Sequence, residues 1–196
     1  GAMIENTSFE NTQSGVLASG SSDLLINNST FDNIDTEGVL ITDNVGAASN
    51  VSVTNNTFSN TDEAVQIEEN SANGITDVSV NENNFLSSID SFAIITDDNS
   101  SPAGAAIFDA NEADLTGNFY GDRSGPSGND GLASGTGTKG DVGGDTDVTL
   151  EPFSGFRLPN INAPSVATAV EVDGEIFVTF GEPVNSSDGD ALQAFD

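Results

Sequence analysis

Apolar and polar positions fall into a repeat over the first part of the chain. Residues 24–33 read LLINNSTFDN, residues 51–60 read VSVTNNTFSN and residues 78–87 read VSVNENNFLS. Aligned on Phe9, Phe31, Phe58 and Phe85, the units are spaced by 22, 27 and 27 residues. Ile4, Ile26, Val53 and Val80 stand five positions before each Phe, and Leu24, Val51 and Val78 stand seven before. An apolar residue at every second position predicts a strand with one face turned inward. Asn11, Asn33, Asn60 and Ser87 follow each Phe by two positions. A second short strand then follows: GVLAS (15–19), GVLIT (38–42), AVQIE (64–68) and FAIIT (92–96). Its predicted inward column is Val16, Val39, Val65 and Ala93, followed two later by Ala18, Ile41, Ile67 and Ile95. Leu17, Leu40, Gln66 and Ile94 then point outward. The apolar stripe of Leu17, Leu40 and Ile94 is either covered by loops at 42–50, 68–77 and 96–106 or is a contact surface for a neighbouring domain or subunit.

Each unit therefore carries a strand, a bend, the Phe, an Asn turn, a second strand and a polar loop. Units of this length without helical periodicity stack as a parallel solenoid, with equivalent positions one rung apart forming columns. Asn suits a turn column because it tolerates left-handed backbone angles and its amide can bond the amide of the next rung. The fold class read from the pattern is all-β: a parallel β-helix with a C-terminal loop and a short β extension. A leucine-rich repeat lacks its Leu-x-x-Leu-x-Leu signature here, and a β-sandwich lacks hairpin turns between the repeated strands.

The pattern over about residues 4–125 resembles the right-handed parallel β-helix of the pectate-lyase-like superfamily and its copper-binding NosD-like relatives. That resemblance implies a fold and leaves function open, because the superfamily includes lyases, glycosidases, adhesins and spikes. TGNFYGDRSGP (116–126) resembles the aromatic-Gly…Ser-Gly-Pro segment that ends such helices in surface proteins. Phe119 and Tyr120 are expected to cover the last rung, with an aromatic sugar platform at Tyr120 as the alternative. Residues 127–164 read as a Gly- and Asp-rich loop and linker. From residue 165 the texture changes: Ile176, Val178 and Phe180 alternate, and EPVN…AL…FD resembles the start of an immunoglobulin-like surface domain. The opening Gly-Ala-Met (1–3) looks like the remnant of a cleaved tag, and both ends read as boundaries of an excised piece.

The charge changes the picture. The chain has 32 acidic residues against three basic ones, Arg123, Lys139 and Arg157, for a net −29. A chain so charged, only 35% apolar, would ordinarily read as disordered, but a disordered chain needs no fixed apolar phase. Such self-repulsion is largely screened only where the Debye length falls to about 3 Å, near 1 M salt. The Asp-rich, Lys-poor balance resembles that of proteins of extreme halophiles, haloarchaea above all. A nucleic-acid partner is excluded for want of a basic footprint. There is no Cys for a disulfide or thiolate site, and no apolar run long enough to span a membrane.

The chemistry is sparse. The three cations all lie after residue 122 and there is no His, which disfavours a uronate lyase. SNTDEAV (59–65) superficially resembles the Asn-Thr-Asp motif of polygalacturonases, and Asp97-Asp98 could be their acid pair; the family's Gly-His-Gly and Arg-Ile-Lys motifs are missing. Glu69, Asp97 and Asp98 are the weak catalytic candidates. Stacking should align Asp43, Glu69 and Asp97, with Asn44, Asn70 and Asp98 beside them, as an oxygen-lined column for Ca²⁺ or for Na⁺ and K⁺. Asp141, Asp145 and Asp147 form a second oxygen-only group in DVGGDTD. The bland reading of both is a solvated acidic face. Of seven Asn-x-Ser/Thr sequons, at Asn6, Asn27, Asn28, Asn50, Asn55, Asn99 and Asn185, those at Asn50 and Asn99 fall in predicted loops and are the glycan candidates if the protein is exported.

These features together read as a structural or adhesive segment of a secreted or cell-surface haloarchaeal protein, presenting loops to glycans or to other surface proteins. The competing readings are a carbohydrate-active enzyme or binding module, and a spike or fibre of a halophilic virus that oligomerises through the apolar stripe.

Overall fold

The computed structural model describes residues 1–71, 73–86, 88–98, 113–127, 135–138, 152–155, 157–158, 166–172 and 175–180. Contacts divide the chain into two units, 1–160 and 161–196. In the first unit the chain passes through β1 (Ala2–Glu5), β2 (Ser8–Thr12), β3 (Val16–Ser19), β4 (Ser22–Asn27), β5 (Thr30–Thr42) and β6 (Ala48–Thr54). It continues through β7 (Thr57–Glu69), β8 (Ile75–Asn81), β9 (Asn84–Phe85), β10 (Phe92–Asp98) and β11 (Ala113–Asp114). β1, β4, β6, β8 and β11 stack in that order as one parallel sheet, so the first face runs through five rungs. The second sheet has the order β10-β7-β5-β2, with β3 on β5 and β9 on β7. All of these pairings are parallel and in sequence order, which is the expected right-handed parallel β-helix.

The second sheet supplies two faces of the solenoid. In the second and third rungs pairing continues through the Asn turn, so β5 and β7 are single bent strands of 13 residues. The predicted turn column, Asn11, Asn33 and Asn60, is thus a corner inside a strand, with left-handed backbone at each position. Two further corner columns appear: Asn6, Asn28, Asn55 and Glu82 before the aromatic face, and Asp23, Asn50 and Asp77 before the first face. All ten residues have φ between 49° and 56°, a region that Asn and Asp enter at lower cost than most side chains.

The core is built from columns. Phe9, Phe31, Phe58 and Phe85 stack with centroids 4.8, 4.7 and 5.4 Å apart, and Tyr120 continues the stack at 5.4 Å. Tyr120 is fully buried, so it closes the column and is no sugar platform. Gly15 and Gly38 precede the third face because a Cβ there would strike the carbonyl oxygens of Gly38 and Ala64 at 2.2 and 2.7 Å, and the Phe31 and Phe58 rings at 2.9 Å.

A second column is polar and buried. Two positions before each aromatic stand Thr7, Ser29, Asn56, Asn83 and Asn118. The Ser29, Asn56 and Asn83 amides each donate to the carboxamide oxygen of the next rung's Asn, all at 2.9 Å. Each carboxamide then donates back to a carbonyl of the preceding rung: Asn56 to Ile26, Asn83 to Val53 and Asn118 to Val80, at 3.0, 2.8 and 2.7 Å.

Two expectations are corrected. In the fourth rung Ile94, not Ala93, pairs with Val65, and Thr96 pairs with Ile67. Ile94 is therefore buried in the core, and Ile95 takes the outward position beside Gln66. The register is set upstream, where the Asp90 and Ser91 amides donate to the Thr61 and Asp62 carbonyls. The second correction concerns the stretch read as loop and linker. Its described parts lie on the last rung: Ser154 N donates to Asn118 O, Thr138 N to Tyr120 O, and Leu158 N to the Asn84 side chain. Phe153 packs on the core as well, so tightly that a Cβ on Gly125 would meet its ring at 2.6 Å. In the second unit, β12 (Val166–Val172) and β13 (Glu175–Phe180) pair antiparallel. The alternation of Ile176, Val178 and Phe180 lies in β13.

Phe58→Ala removes a ring buried between two others. It is expected to cost about 3–5 kcal/mol of unfolding free energy, measured by denaturant titration in high salt. Phe9→Ala, at a partly exposed ring, should cost clearly less. Equal losses would contradict a continuous stacked core.

Candidate functional site

The carboxylate column lies where the third face ends and the chain turns back to the first. Backbone register runs Ser19, Thr42, Glu68 and Asp97, so the next column is Gly20, Asp43, Glu69 and Asp98. The structure does not bring Asp97 into line with Asp43 and Glu69; the register shift of the fourth rung replaces it with Asp98. Glu69 is buried at 1% exposure, out of reach of a polymeric substrate.

Asp43 is fully buried, and its carboxylate is occupied. Oδ1 accepts from the amides of Asn70 and Ser71 at 2.8 and 3.0 Å. Oδ2 accepts from Ser71 Oγ at 2.7 Å and Gly74 N at 3.0 Å. Burial alone would raise this carboxyl, but the Ser71 hydroxyl and the Asn70, Gly74 and Ser71 amides together hold it below its ordinary value. Four donors fill the positions that a cation would need, so Asp43 fastens the loop of the third rung to the second. Among the described residues no group of three or more His, Cys, Asp or Glu side chains is placed to hold a metal ion. Asp141, Asp145 and Asp147 lie outside the described residues.

The other predicted sites scatter. Asn60, of the Asn-Thr-Asp match, is a corner residue; Thr61 is buried, and Asp62 receives the Ser91 hydroxyl. Asn50 is exposed as expected of a glycan site, but it sits in β6 rather than a loop, and its Nδ2 donates to Asp23 at 2.6 Å. Asn28 is buried and donates to Asn6, which removes that sequon as an acceptor. Asn99 and Asn185 lie outside the described residues. Leu17 and Leu40 are outward as predicted, with Leu17 64% exposed.

One feature had no sequence forecast. At the C-terminal end of the solenoid a cleft of about 400 Å³ opens between Ile89-Asp90-Ser91 and the segments 121–122 and 136–138. Asp90, Ser91, Asp122, Thr136 and Thr138 line it with oxygen. The Ser124 hydroxyl and amide, with a smaller contribution from Thr136, hold Asp122 below the usual carboxylate range, so it is ionised near neutrality. The wall can accept hydrogen bonds from hydroxyl-rich ligands, while the Ser91 and Thr138 hydroxyls already donate to Asp62 and to the Leu86 carbonyl. The only sequence signal for it was the Gly-rich texture around Gly121 and Gly137, which also fits a loop.

Asp43→Asn should destabilise the fold by about 2–3 kcal/mol, because amide hydrogens would face backbone donors that now meet a charge. Since the folded-state pKa lies below the ordinary 3.8, the carboxylate's contribution is complete above that value and disappears as pH falls through the lower one. Thermal melts of the two proteins should therefore differ at pH 7 and converge in acid. A difference independent of pH would contradict the assignment.

No curated protein and no solved structure matches the chain significantly. A family model described as right handed beta helix region matches residues 1–124, more than half of the sequence. The columns of Phe, Asn and paired parallel strands lie within that stretch, and the chain belongs to the right-handed β-helix family.

Proposed function

We propose that this chain is a rigid structural or adhesive segment of a secreted or cell-surface protein of an extreme halophile. The family occurs in surface proteins and in carbohydrate-active enzymes, so the choice rests on how this chain uses its polar groups. The carrying observation is the Asp43 site: the best-placed carboxylate of the candidate column is consumed in fastening one rung's loop to the next. The corner Asn residues are likewise spent on neighbouring rungs, as with Asn33 to Asn11 and Asn55 to Asn27. A net charge of −29 supports a high-salt setting, where screening permits compaction. The β12–β13 hairpin falls within 165–196, the stretch read as the start of an immunoglobulin-like domain, and exposed Asn50 supports a glycan on the solenoid wall.

The oxygen-lined cleft favours a second reading, a carbohydrate-binding or carbohydrate-active role at the C-terminal end. Both readings are tested by incubating the chain with a panel of polysaccharides in multimolar salt, with and without Ca²⁺. The scaffold reading predicts no new reducing ends and no unsaturated uronate absorbance; an adhesive role adds co-sedimentation with an insoluble glycan. Cleavage abolished by Asp90→Asn or Asp122→Asn would overturn the scaffold in favour of an enzyme.

A further inference from the structure

Asn73-Gly74 is the only Asn-Gly dipeptide in the chain, and it lies in the loop between β7 and β8. In such a pair the backbone attacks the preceding side chain with least hindrance, because glycine has no Cβ beside the reacting nitrogen. The Gly74 nitrogen adds to Cγ of Asn73 and gives its proton to hydroxide, while Nδ2 leaves as ammonia with a proton taken from water. The product is a five-membered succinimide. Water then opens it at either carbonyl. One opening leaves an aspartyl side chain on the original backbone, and the other leaves an isoaspartyl link with the backbone routed through Cβ and Cγ.

Asn73 is exposed, so water and hydroxide reach it, yet both reacting nitrogens are held by hydrogen bonds. Gly74 N donates to Asp43 Oδ2 at 3.0 Å, and the Gly74 carbonyl accepts from Ala48 N at 3.1 Å. Asn73 Nδ2 donates to the Asp43 carbonyl at 3.0 Å and to Ser71 Oγ at 2.8 Å. A nitrogen whose proton rests on a buried carboxylate resists deprotonation, since the anion would face a negative charge at hydrogen-bond distance. Asp43 is too weak a base to take that proton itself, because its donors hold its carboxyl below the ordinary value. The loop keeps the reactive pair for its geometry. Gly74 has φ of 85°, in the left-handed region, and the Asn73 carboxamide supplies two of the loop's bonds.

We propose that Asn73 is a conditional modification site, protected from deamidation while Asp43 fastens the third rung's loop and released when that loop opens. The product cannot refasten. Its carboxylate has no hydrogen to give the Asp43 carbonyl, and an isoaspartyl link lengthens the backbone, so that the Gly74 N–H and carbonyl no longer meet Asp43 and Ala48 together. Deamidation thus records an opening of the loop and makes it permanent.

Peptide-mapping mass spectrometry of the whole chain, incubated in mild alkali and about 2 M KCl, reads the fraction of Asn73 converted with time. The folded wild type should convert about tenfold or more slowly than the same chain unfolded in guanidinium chloride, because reaction waits for a local opening. Asp43→Asn, kept below its melting temperature, should speed conversion by about tenfold or more. Ser71→Ala, which removes an acceptor of Asn73 Nδ2 and leaves the carboxylate in place, should speed it several-fold. Phe9→Ala, which weakens the distant first rung, should leave the rate unchanged. A folded wild type that reacts as fast as the unfolded chain would overturn the proposal. So would Asp43→Asn and Ser71→Ala chains that convert at the wild-type rate, or a Phe9→Ala chain accelerated as much as they are.

Discussion

The structure depends on satisfying the backbone at one buried corner. Where the first face turns into the aromatic face, the amides of Ser29, Asn56 and Asn83 are removed from water just before each ring enters the core. A buried amide without a partner costs about 1–3 kcal/mol, and the penalty would recur on every rung. The Asn two positions before the aromatic solves this from the neighbouring rung. Its carboxamide accepts from one corner amide and donates to a carbonyl, and this links each rung to those beside it. The aromatic stack, the parallel register and the glycines under the rings all follow from holding rungs in phase at that corner.

The same economy explains why the polar surface offers little free chemistry. In a solenoid an outward or corner residue has a neighbour one rung away, and here those neighbours are mostly complementary: Asn33 with Asn11, Asn60 and Ser59 with Asp32, Asn81 with Asp114. Asp43 extends this from columns to loops. Among the described residues, two places stand outside the ladders. One is the cleft at the C-terminal end, where the regular rungs give way to irregular chain. The other is the corner at the opposite end, where Leu17 and Val45 are exposed. Functional specificity in this molecule is therefore sought at its ends and corners.

Much of the fold was legible because a solenoid repeats its constraint. Phe9, Phe31, Phe58 and Phe85 announced the stack, and the alternation before them announced the first face. The buried Asn column was visible in principle, at a constant two positions before each aromatic. It was hidden because Asn55 and Asn56 are chemically identical, and only the backbone makes the first a left-handed corner and the second a buried ladder residue. The fourth rung was misread because Phe92, Ala93, Ile94 and Ile95 form an unbroken apolar run, which carries no parity. Its phase came from pairing to Thr61 and Asp62. That one-residue shift moved Ile94 inside, dissolved the predicted Asp43–Glu69–Asp97 column, and so decided how the candidate site was read. The cleft was illegible because its walls come from segments far apart in sequence, with no repeat to relate them.

The most direct test of this account is side-chain amide hydrogen exchange, followed by NMR in high salt. The account predicts that the carboxamide protons of Asn56, Asn83 and Asn118 exchange only through global unfolding, whereas those of exposed Asn33 exchange orders of magnitude faster. Rapid exchange at Asn56 and Asn83, comparable to Asn33, would show that the corner ladder does not hold the rungs together.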